Sequence, residues 1–372
     1  MDFGFLLEEI TRGFTNFTWG NGIMILVGIT LIALAVIKEY EPVLLLPIGF
    51  GCIMANIGMS ADVGFMKVIY DAGISTELFP LLIFVGVGAM IDFSPLLAQP
   101  KMVLLGAAGQ FGIYGTLLLA LLLGFPMNEA ASIGVIGAID GPTAIFVGSK
   151  LAPELLAPIA VAAYSYMSLI PIIQPPIMKL LTTRKERLIR MDYAPRPVSR
   201  LTLVVFPIFV TLVVSLVAPD AAPLIASLML GNLLRESLVV DRLNKAAQNE
   251  IINIATLFLG LAIGATMKAD SFLNLETLMI LGLGLIAFVL DTVTGLLFGK
   301  LMSALSGGKI NPLIGACGIS AFPMAGRLSA KMAQEEDFEN FILMHAMGAN
   351  TAGQLGSVIA GGLLLALVSG MG

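Results

Sequence analysis

The chain has 372 residues, of which 58% are hydrophobic and only 12% are charged, and its mean hydropathy is +0.96. Soluble domains carry about 25% charged residues, so this composition excludes an ordinary soluble protein and predicts a chain that crosses a membrane several times. The net charge of −5 and the lack of a basic, aromatic-rich stretch give no indication of nucleic-acid binding. Two distant cysteines and one histidine are too few for a disulfide framework or a zinc site.

Residues 1–20 are predicted to form an amphipathic helix at the membrane surface. Their apolar side chains, among them Leu6, Ile10 and Phe14, fall on one helical face. Two glutamates stand where a signal peptide would carry basic residues. We therefore expect this segment to lie on the bilayer or to pack on a partner.

The rest of the chain divides into two membrane repeats, 21–181 and 201–372, joined by a linker at 182–200. The linker is rich in lysine and arginine, which places it in the cytoplasm. The apolar segments that predict membrane helices lie at 21–37, 42–58, 78–91, 101–124, 129–150, 154–181, 201–218, 222–234, 251–267, 274–303, 311–330 and 340–370.

The two series of segments resemble each other in sequence. One constant shift places Pro47 on Pro223 and Asn56 on Asn232, and nearly the same shift places Gly137 on Gly315. This steady offset indicates a duplicated unit, although helices rich in glycine, leucine and alanine also align by chance.

The fifth apolar segment of each repeat decides how the repeats are oriented. Six crossings in each repeat would make them parallel, whereas a fifth segment that dips in and returns would leave five crossings and inverted repeats. Both fifth segments are broken by glycine and proline at matching places, the usual pointer to a transporter's binding site. We therefore predict an all-α multi-pass protein of two inverted repeats, each with about five spans and one broken or re-entrant segment.

Asp140 is the most informative residue of the first broken segment, "GAIDGPTAIF". A bare carboxylate at mid-membrane costs on the order of 3 kcal/mol. Desolvation favours its protonated form and a bound cation favours its ionised form, so one site can exchange a proton for a metal ion. The alternative is that Asp140 only caps a broken half-helix.

The second broken segment, "NPLIGACGISAFPMAGR", offers neutral oxygen atoms. Asn311, the Ser320 hydroxyl and the backbone carbonyls freed near Gly315 are ligands that suit a hard cation such as Na⁺. Asn311 also stands where a helix N-cap is expected, before Pro312. Arg327 ends the segment, where it could hold an anionic substrate or mark the membrane interface.

Further polar side chains lie on two later helices. Tyr166 and Gln174 share one face of their helix, and Asn350, Gln354 and Ser357 share one face of the last helix. Asn350 is favoured as an ion ligand because glycine flanks its turn. Gln354 and Ser357 are equally well explained by hydrogen bonds between helices.

Two ionisable residues receive no functional role from the sequence. Asp291 lies in an apolar helix without a glycine break, which favours a helix–helix hydrogen bond or a contact between subunits. His345, the only histidine, could relay protons, although a lone histidine near a helix start is more often structural.

Six motifs together give the chain a family resemblance. They are "KEYEPVLLLPIGFGCIMANI", "GVGAMIDFSPLLAQP", "GAIDGPTAIF", "YSYMSLIPIIQPP", "NPLIGACGISAFPMAGR" and "GANTAGQLGS". With them the chain resembles the β subunits of the sodium-translocating, biotin-dependent decarboxylases, which act on oxaloacetate, methylmalonyl-CoA or glutaconyl-CoA. The resemblance implies an ion-translocating enzyme subunit of a bacterial inner membrane that decarboxylates carboxybiotin and couples this to Na⁺ export, with a proton consumed.

The resemblance also implies partners and residue roles. A carboxyltransferase α subunit, a biotin carrier and a small membrane γ or δ subunit would complete the complex, and the membrane core would be a trimer. Because the chain lacks a biotinylation motif, biotin has to arrive on a partner. The roles carried over are Na⁺ binding and proton handling for Asp140 and Tyr166, the ion path for Asn311, Gly315, Ser320 and Asn350, and carboxybiotin binding for Arg327.

Two expectations concern the mechanism as a whole. The repeats and the resemblance predict that the broken segments move as a body against the other helices, in an elevator-like alternating access. The residues alone fit a second class of protein equally well, a stand-alone secondary Na⁺ transporter such as a Na⁺/H⁺ antiporter or a Na⁺-coupled carboxylate symporter.

Overall fold

A computed structural model describes residues 17–191 and 197–370, which form helices and connecting turns without a β-strand. The predicted amphipathic helix at 1–20 therefore lies outside the described residues except for its last four. The last two of these residues, Trp19 and Gly20, belong to the first span, whose helix starts at Trp19 with Thr18 as its N-cap.

The α-helices of the first half are α1 (Trp19–Ile37), α2 (Pro42–Ala55), α3 (Gly64–Tyr70), α4 (Leu78–Met90), α5 (Ser94–Ala98), α6 (Met102–Ala108), α7 (Phe111–Leu122), α8 (Met127–Gly134), α9 (Gly141–Leu151), α10 (Leu156–Ser168) and α11 (Ile170–Leu181). Those of the linker and the second half are α12 (Arg184–Arg187), α13 (Arg200–Val217), α14 (Ala222–Ser237), α15 (Asp241–Ala246), α16 (Ile252–Thr266), α17 (Ala269–Phe272), α18 (Leu275–Leu305), α19 (Met324–Glu336) and α20 (Leu343–Ser369). Short π-helical turns cover Asp71–Ser75 and Ala247–Ile251, and 3₁₀ turns cover Val135–Ala138, Pro153–Leu155, Pro219–Ala221 and Pro312–Gly318.

The predicted multi-pass helical class is confirmed. Among the described residues, six helical segments are long and apolar enough to cross a membrane, and two pairs of helices bent by 57° and 63° bring the number to eight if each pair is one span. Their outer faces are apolar, as on α13, where Leu216 is 82% exposed. Helices suit this setting because every backbone hydrogen bond is then made within the segment.

The first broken segment folds back on itself. α8 continues into the 3₁₀ turn, Ile139 takes a left-handed conformation, and Asp140 becomes the N-cap of α9, with Pro142 in the first helical turn. The Asn128 side chain at the start of the segment donates to the Leu151 carbonyl at its end, over 3.0 Å. Both ends of this first hairpin therefore lie together.

The second broken segment, formed by the 3₁₀ turn Pro312–Gly318 and α19, also has both ends in one place. Asn311 before it and Asn340 after it each donate to the carbonyls of Arg187 and Ile189 in the linker. Glu336, at the end of α19, forms an ion pair with Arg187 at 2.7 Å. This second hairpin is therefore held against the linker.

Two helix pairs, each joining one helix of the first half to one of the second half, make the same contact. α2 packs on α16, and Asn56 Nδ2 donates to the Met267 carbonyl over 2.8 Å. α4 packs on α14, and Asn232 Nδ2 donates to the Ile91 carbonyl over 3.0 Å. The residues that the sequence shift aligned, Asn56 and Asn232, thus occupy equivalent positions.

The buried apolar side chains form two main clusters. One surrounds the two hairpins and includes Phe146 and Leu313, and the other joins α1, α2 and α16 around Ile48 and Leu259. A cavity of about 350 Å³ is lined by residues from both groups of helices.

Candidate ion-binding site

Asp140 lies at the tip of the first hairpin, where it is only 6% exposed. Its Oδ2 accepts hydrogen bonds from Thr143 Oγ1 at 2.8 Å, Gln354 Nε2 at 2.8 Å and Ser357 Oγ at 3.2 Å. Thr143 lies one turn into α9, whereas Gln354 and Ser357 come from α20. The last helix therefore fixes the carboxyl group in place.

All three donors to Asp140 are neutral. Within 17–191 and 197–370 no lysine, arginine or histidine forms an ion pair with this carboxyl group. Hydrogen bonds orient a buried carboxylate, but they do not neutralise its charge. The site can therefore hold either a proton or a cation on Asp140.

Asp140 faces the cavity of about 350 Å³ together with Ser320 and Gln354. Tyr164, which is 1% exposed, also lines it. The glycine at position 141 makes room for this phenol ring, because a Cβ there would collide with it. The remaining lining residues are Glu41, Val43, Leu44, Ile83, Val87, Met90, Ile139, Pro142, Met167, Gln248, Ile252, Asn253, Thr256, Phe322, Pro323 and Met324.

The tip of the second hairpin is bound to α20 close to this cavity. Ser320 Oγ donates to the Gly353 carbonyl over 3.1 Å, and Asn350 Nδ2 donates to the Ile319 carbonyl over 2.7 Å. Asn350 Oδ1 is buried and makes no hydrogen bond with any described residue. The structure thus brings Asp140 and Ser320 to one cavity and leaves an unused oxygen acceptor on Asn350 beside the same tip.

Three predicted site residues are not brought to Asp140. The Tyr166 hydroxyl donates to the Leu281 carbonyl over 2.5 Å and is absent from the cavity lining. Asn311 accepts a hydrogen bond from the Leu313 amide and so caps the 3₁₀ turn, as predicted for an N-cap, and it also binds the linker. Gly315 packs against Gly295 of α18, where a side chain would not fit.

Arg327 lies on the exposed side of α19, one turn after the cavity-lining residue Met324. It makes no hydrogen bond or ion pair with the part of the chain that the structure describes. A free guanidinium in this place is accessible to an anion.

Four residues that surround Asp140 or its cavity were not predicted as site residues from the sequence. Thr143 lies three residues after Asp140, and this helical spacing was the signal for it. Gln354 and Ser357 were recognised only as a polar stripe. Tyr164 carries no signal of its own, because the neighbouring Tyr166 has the same chemistry.

The second buried acid, Asp291, has a structural partner. Its Oδ1 accepts a hydrogen bond from the amide of Gly112, in the first turn of α7, while Oδ2 makes none with the described residues. A helix start leaves its first amides unpaired, and Asp291 supplies an acceptor from α18. The predicted helix–helix hydrogen bond is therefore present.

Comparison with known proteins decides the family. Residues 20–368 match the family model of the Na⁺-transporting oxaloacetate decarboxylase beta subunit. The chain belongs to this family.

Curated relatives cover nearly the whole of this beta subunit. Glutaconyl-CoA decarboxylase subunit beta of Acidaminococcus fermentans is 55% identical over 361 residues, 96% of each chain. Methylmalonyl-CoA decarboxylase subunit beta of Veillonella parvula is 55% identical over 357 residues, 96% of this chain and 95% of its own. The oxaloacetate decarboxylase beta chain of Klebsiella pneumoniae is 47% identical over 416 residues, 95% and 96% of the two chains.

These relatives are beta subunits or beta chains of decarboxylases, so the resemblance seen in the motifs is confirmed. The beta subunit is the membrane part of a Na⁺-transporting decarboxylase. The stand-alone Na⁺ transporter, which the residues alone fitted equally well, is not favoured.

Proposed function

We propose that this beta subunit decarboxylates carboxybiotin presented by a partner and that Asp140 couples the reaction to Na⁺ export by exchanging Na⁺ for a proton. The observation that carries the proposal is a buried carboxyl group with three neutral donors on one oxygen, facing a cavity. An ionised Asp140 needs a counter-ion in this environment. Na⁺ supplies it in one state, and a proton replaces it in the other.

The neutral oxygen atoms of the second hairpin and α20 support the Na⁺ site. Ser320 lines the cavity, and the unused Oδ1 of Asn350 is the kind of hard ligand that Na⁺ takes. Asn311 and Gly315 would act on the ion path by shaping the second hairpin. Tyr166 would act through its contact with α18 at Leu281.

Carboxybiotin would reach the site on a partner subunit. When bound, it supplies the loss of CO₂ that drives transport. Arg327, exposed and one turn from the cavity-lining Met324, fits a negatively charged group. We infer that its guanidinium would hold the carboxyl group of the incoming cofactor, whose decarboxylation consumes a proton, and that Asp140 would hold a proton only in the state that lacks Na⁺.

The ends of the two hairpins support the inverted arrangement of the repeats. The first hairpin begins and ends at Asn128 and Leu151, just before α10. The second is bound to the linker, which follows α11. The bent pair α10 and α11, counted as one span, runs from the end of the first hairpin to the linker. The two hairpins would therefore enter from opposite faces of the membrane.

We further propose an inward-open state in this structure. Arg200, at the end of the linker, donates to the Ser237 carbonyl, so the start of α13 and the end of α14 share the linker's side of the protein. Gln248, a cavity-lining residue, follows shortly after α14 and donates to the Ala89 carbonyl. The Asp140 cavity would therefore open toward the cytoplasm, and the two hairpins would carry Asp140 outward in an elevator-like movement.

The complex would contain a carboxyltransferase α subunit, a biotin carrier and a small membrane γ or δ subunit, around a trimer of this chain in a bacterial inner membrane.

The decisive experiment uses the purified complex in liposomes and measures ²²Na⁺ uptake and decarboxylation together. We expect Asp140→Asn to abolish Na⁺ uptake and Na⁺-dependent decarboxylation, and avidin to block the wild type. Asp291→Asn is the matched control, since it alters the other buried acid; Na⁺-dependent turnover retained by Asp140→Asn contradicts the proposal.

A further inference from the structure

Glu41 is an acidic side chain at the cavity that the site described above does not use. It precedes α2 in the loop after α1, is half-buried, and lines the same cavity as Asp140. Within the described parts of the chain its carboxyl group makes no hydrogen bond or ion pair. Its neighbour Glu39 is exposed and does not line the cavity.

The backbone at Glu41 adopts a left-handed conformation, with φ 35° and ψ 57°, and Pro42 follows it. A residue with a β-carbon rarely takes this conformation, which Glu39 in the same loop also adopts. Burial of part of its surface beside an apolar helix adds a further cost for an unpaired carboxylate. A bound cation would offset this electrostatic cost.

Tyr164 gives independent evidence for a ligand. Its hydroxyl is buried and makes no hydrogen bond with any described residue, although its ring is held against Gly141. An unpartnered buried hydroxyl costs free energy unless something occupies the space in front of it. That space is the cavity shared by Glu41 and Asp140.

We propose that the Glu41 carboxylate and the Tyr164 hydroxyl form a second Na⁺ site at the entrance of the cavity, from which the ion passes to Asp140. The proposal rests on the proposed function of Asp140. Oxygen atoms of a carboxylate and a neutral hydroxyl are the ligands that a hard cation prefers. Gln248 also lines the cavity; its Nε2 donates to Ala89 and Asn244, and its side-chain oxygen makes no hydrogen bond with a described residue.

A Na⁺ titration of decarboxylation in the reconstituted complex tests the entrance site. Glu41→Gln removes one charge from the cavity, and we expect the half-saturating Na⁺ concentration to rise about tenfold. Turnover at saturating Na⁺ should stay near that of the wild type, because Asp140 is intact. Glu39→Gln removes an equal charge from the same loop and should leave the titration unchanged.

Two further variants keep the test decisive. Tyr164→Phe keeps the ring against Gly141 and removes only the hydroxyl, so half-saturation should rise about threefold. Glu41→Asp keeps the charge and should bind Na⁺ more tightly than Glu41→Gln. At the Na⁺ concentration that half-saturates the wild type, the complex with Glu41→Gln should bind less ²²Na⁺ than the wild type.

Equal titrations for Glu41→Gln and Glu39→Gln would overturn the entrance site and leave the role of Asp140 standing. Na⁺-dependent turnover in Asp140→Asn would instead overturn the proposed function. The two failures are therefore distinguishable in one set of measurements.

Discussion

Asn311 and Asn340 donate from their side chains to the same two carbonyls, those of Arg187 and Ile189. One stands before the second hairpin and the other after it, so together they clamp both of its ends to the linker. We expect Asn311→Ala and Asn340→Ala to destabilise the protein by similar amounts, about 1–3 kcal/mol, because each removes two of the four hydrogen bonds that hold the second hairpin to the linker. Thermal unfolding of the purified protein measures this.

A direct ligand role for Asn311 would separate the two variants. In that case only Asn311→Ala would change the Na⁺ concentration at half-saturation. If both asparagines only hold the hairpin to the linker, the two variants change this concentration equally or not at all, and this is the result that we expect.

Gln354 positions the carboxyl group of Asp140 from the last helix. Gln354→Leu removes one donor to the ionised form and should raise half-saturating Na⁺ about tenfold at neutral pH. Raising the pH should restore part of the affinity, since fewer protons then compete with Na⁺. Gln174→Leu is the matched control: this amide donates to the Ala316 carbonyl and does not reach Asp140. An equal effect in both variants would exclude a specific role for Gln354.

Asp291 should behave as a structural acceptor. Asp291→Asn keeps an oxygen for the Gly112 amide and is expected to fold and pump normally, whereas Asp291→Ala should lower the free energy of unfolding by about 1–3 kcal/mol. Gly112→Ala should be at least as harmful, because its Cβ would meet the Ala287 carbonyl at 2.7 Å and collide with Asp291. A pumping defect in well-folded Asp291→Asn would show that the carboxyl group does more than accept this bond.

The ion pairs of the linker predict a pH dependence. Hydrogen bonding from Arg187 lowers the pKa of Glu336, and hydrogen bonding from Arg190 lowers the pKa of Asp337. A lowered pKa means that the ion pair stabilises the fold at pH values above the ordinary carboxyl pKa of about 4. This contribution is lost as the pH falls through the lowered pKa.

The difference in melting temperature between wild type and Glu336→Gln measures that contribution. It should be present at pH 7 and shrink toward zero as the pH approaches the acid range. Glu335→Gln, an exposed neighbour without a partner among the described residues, should show no such difference at either pH. A difference that persists in acid would assign the effect to packing.

Several features of the fold and site were predictable because they depend on local sequence. The apolar runs predicted the helices, and the glycines around Asp140 predicted the break in its segment. The shift that aligned Asn56 with Asn232 predicted residues that now make equivalent contacts.

The rest depended on tertiary packing. Tyr164 and Tyr166 are two residues apart, so they point to different sides of α10, and only the packing of that helix decides which one faces the cavity. Asn311 finds its partners in the linker, more than a hundred residues away in sequence. No periodicity in the sequence encodes such contacts.

The matched contacts of Asn56 and Asn232 have a consequence for the direction of transport. In the inverted arrangement proposed above, the same hydrogen bond between an asparagine amide and a backbone carbonyl lies near each face of the membrane. The helix pairs α2–α16 and α4–α14 therefore have no built-in preference for one side. The alignment that matches Gly137 with Gly315 puts Gly318 where the first repeat has Asp140. Direction must therefore arise from the unequal chemistry of the two hairpins and from a reaction that takes place on one face only.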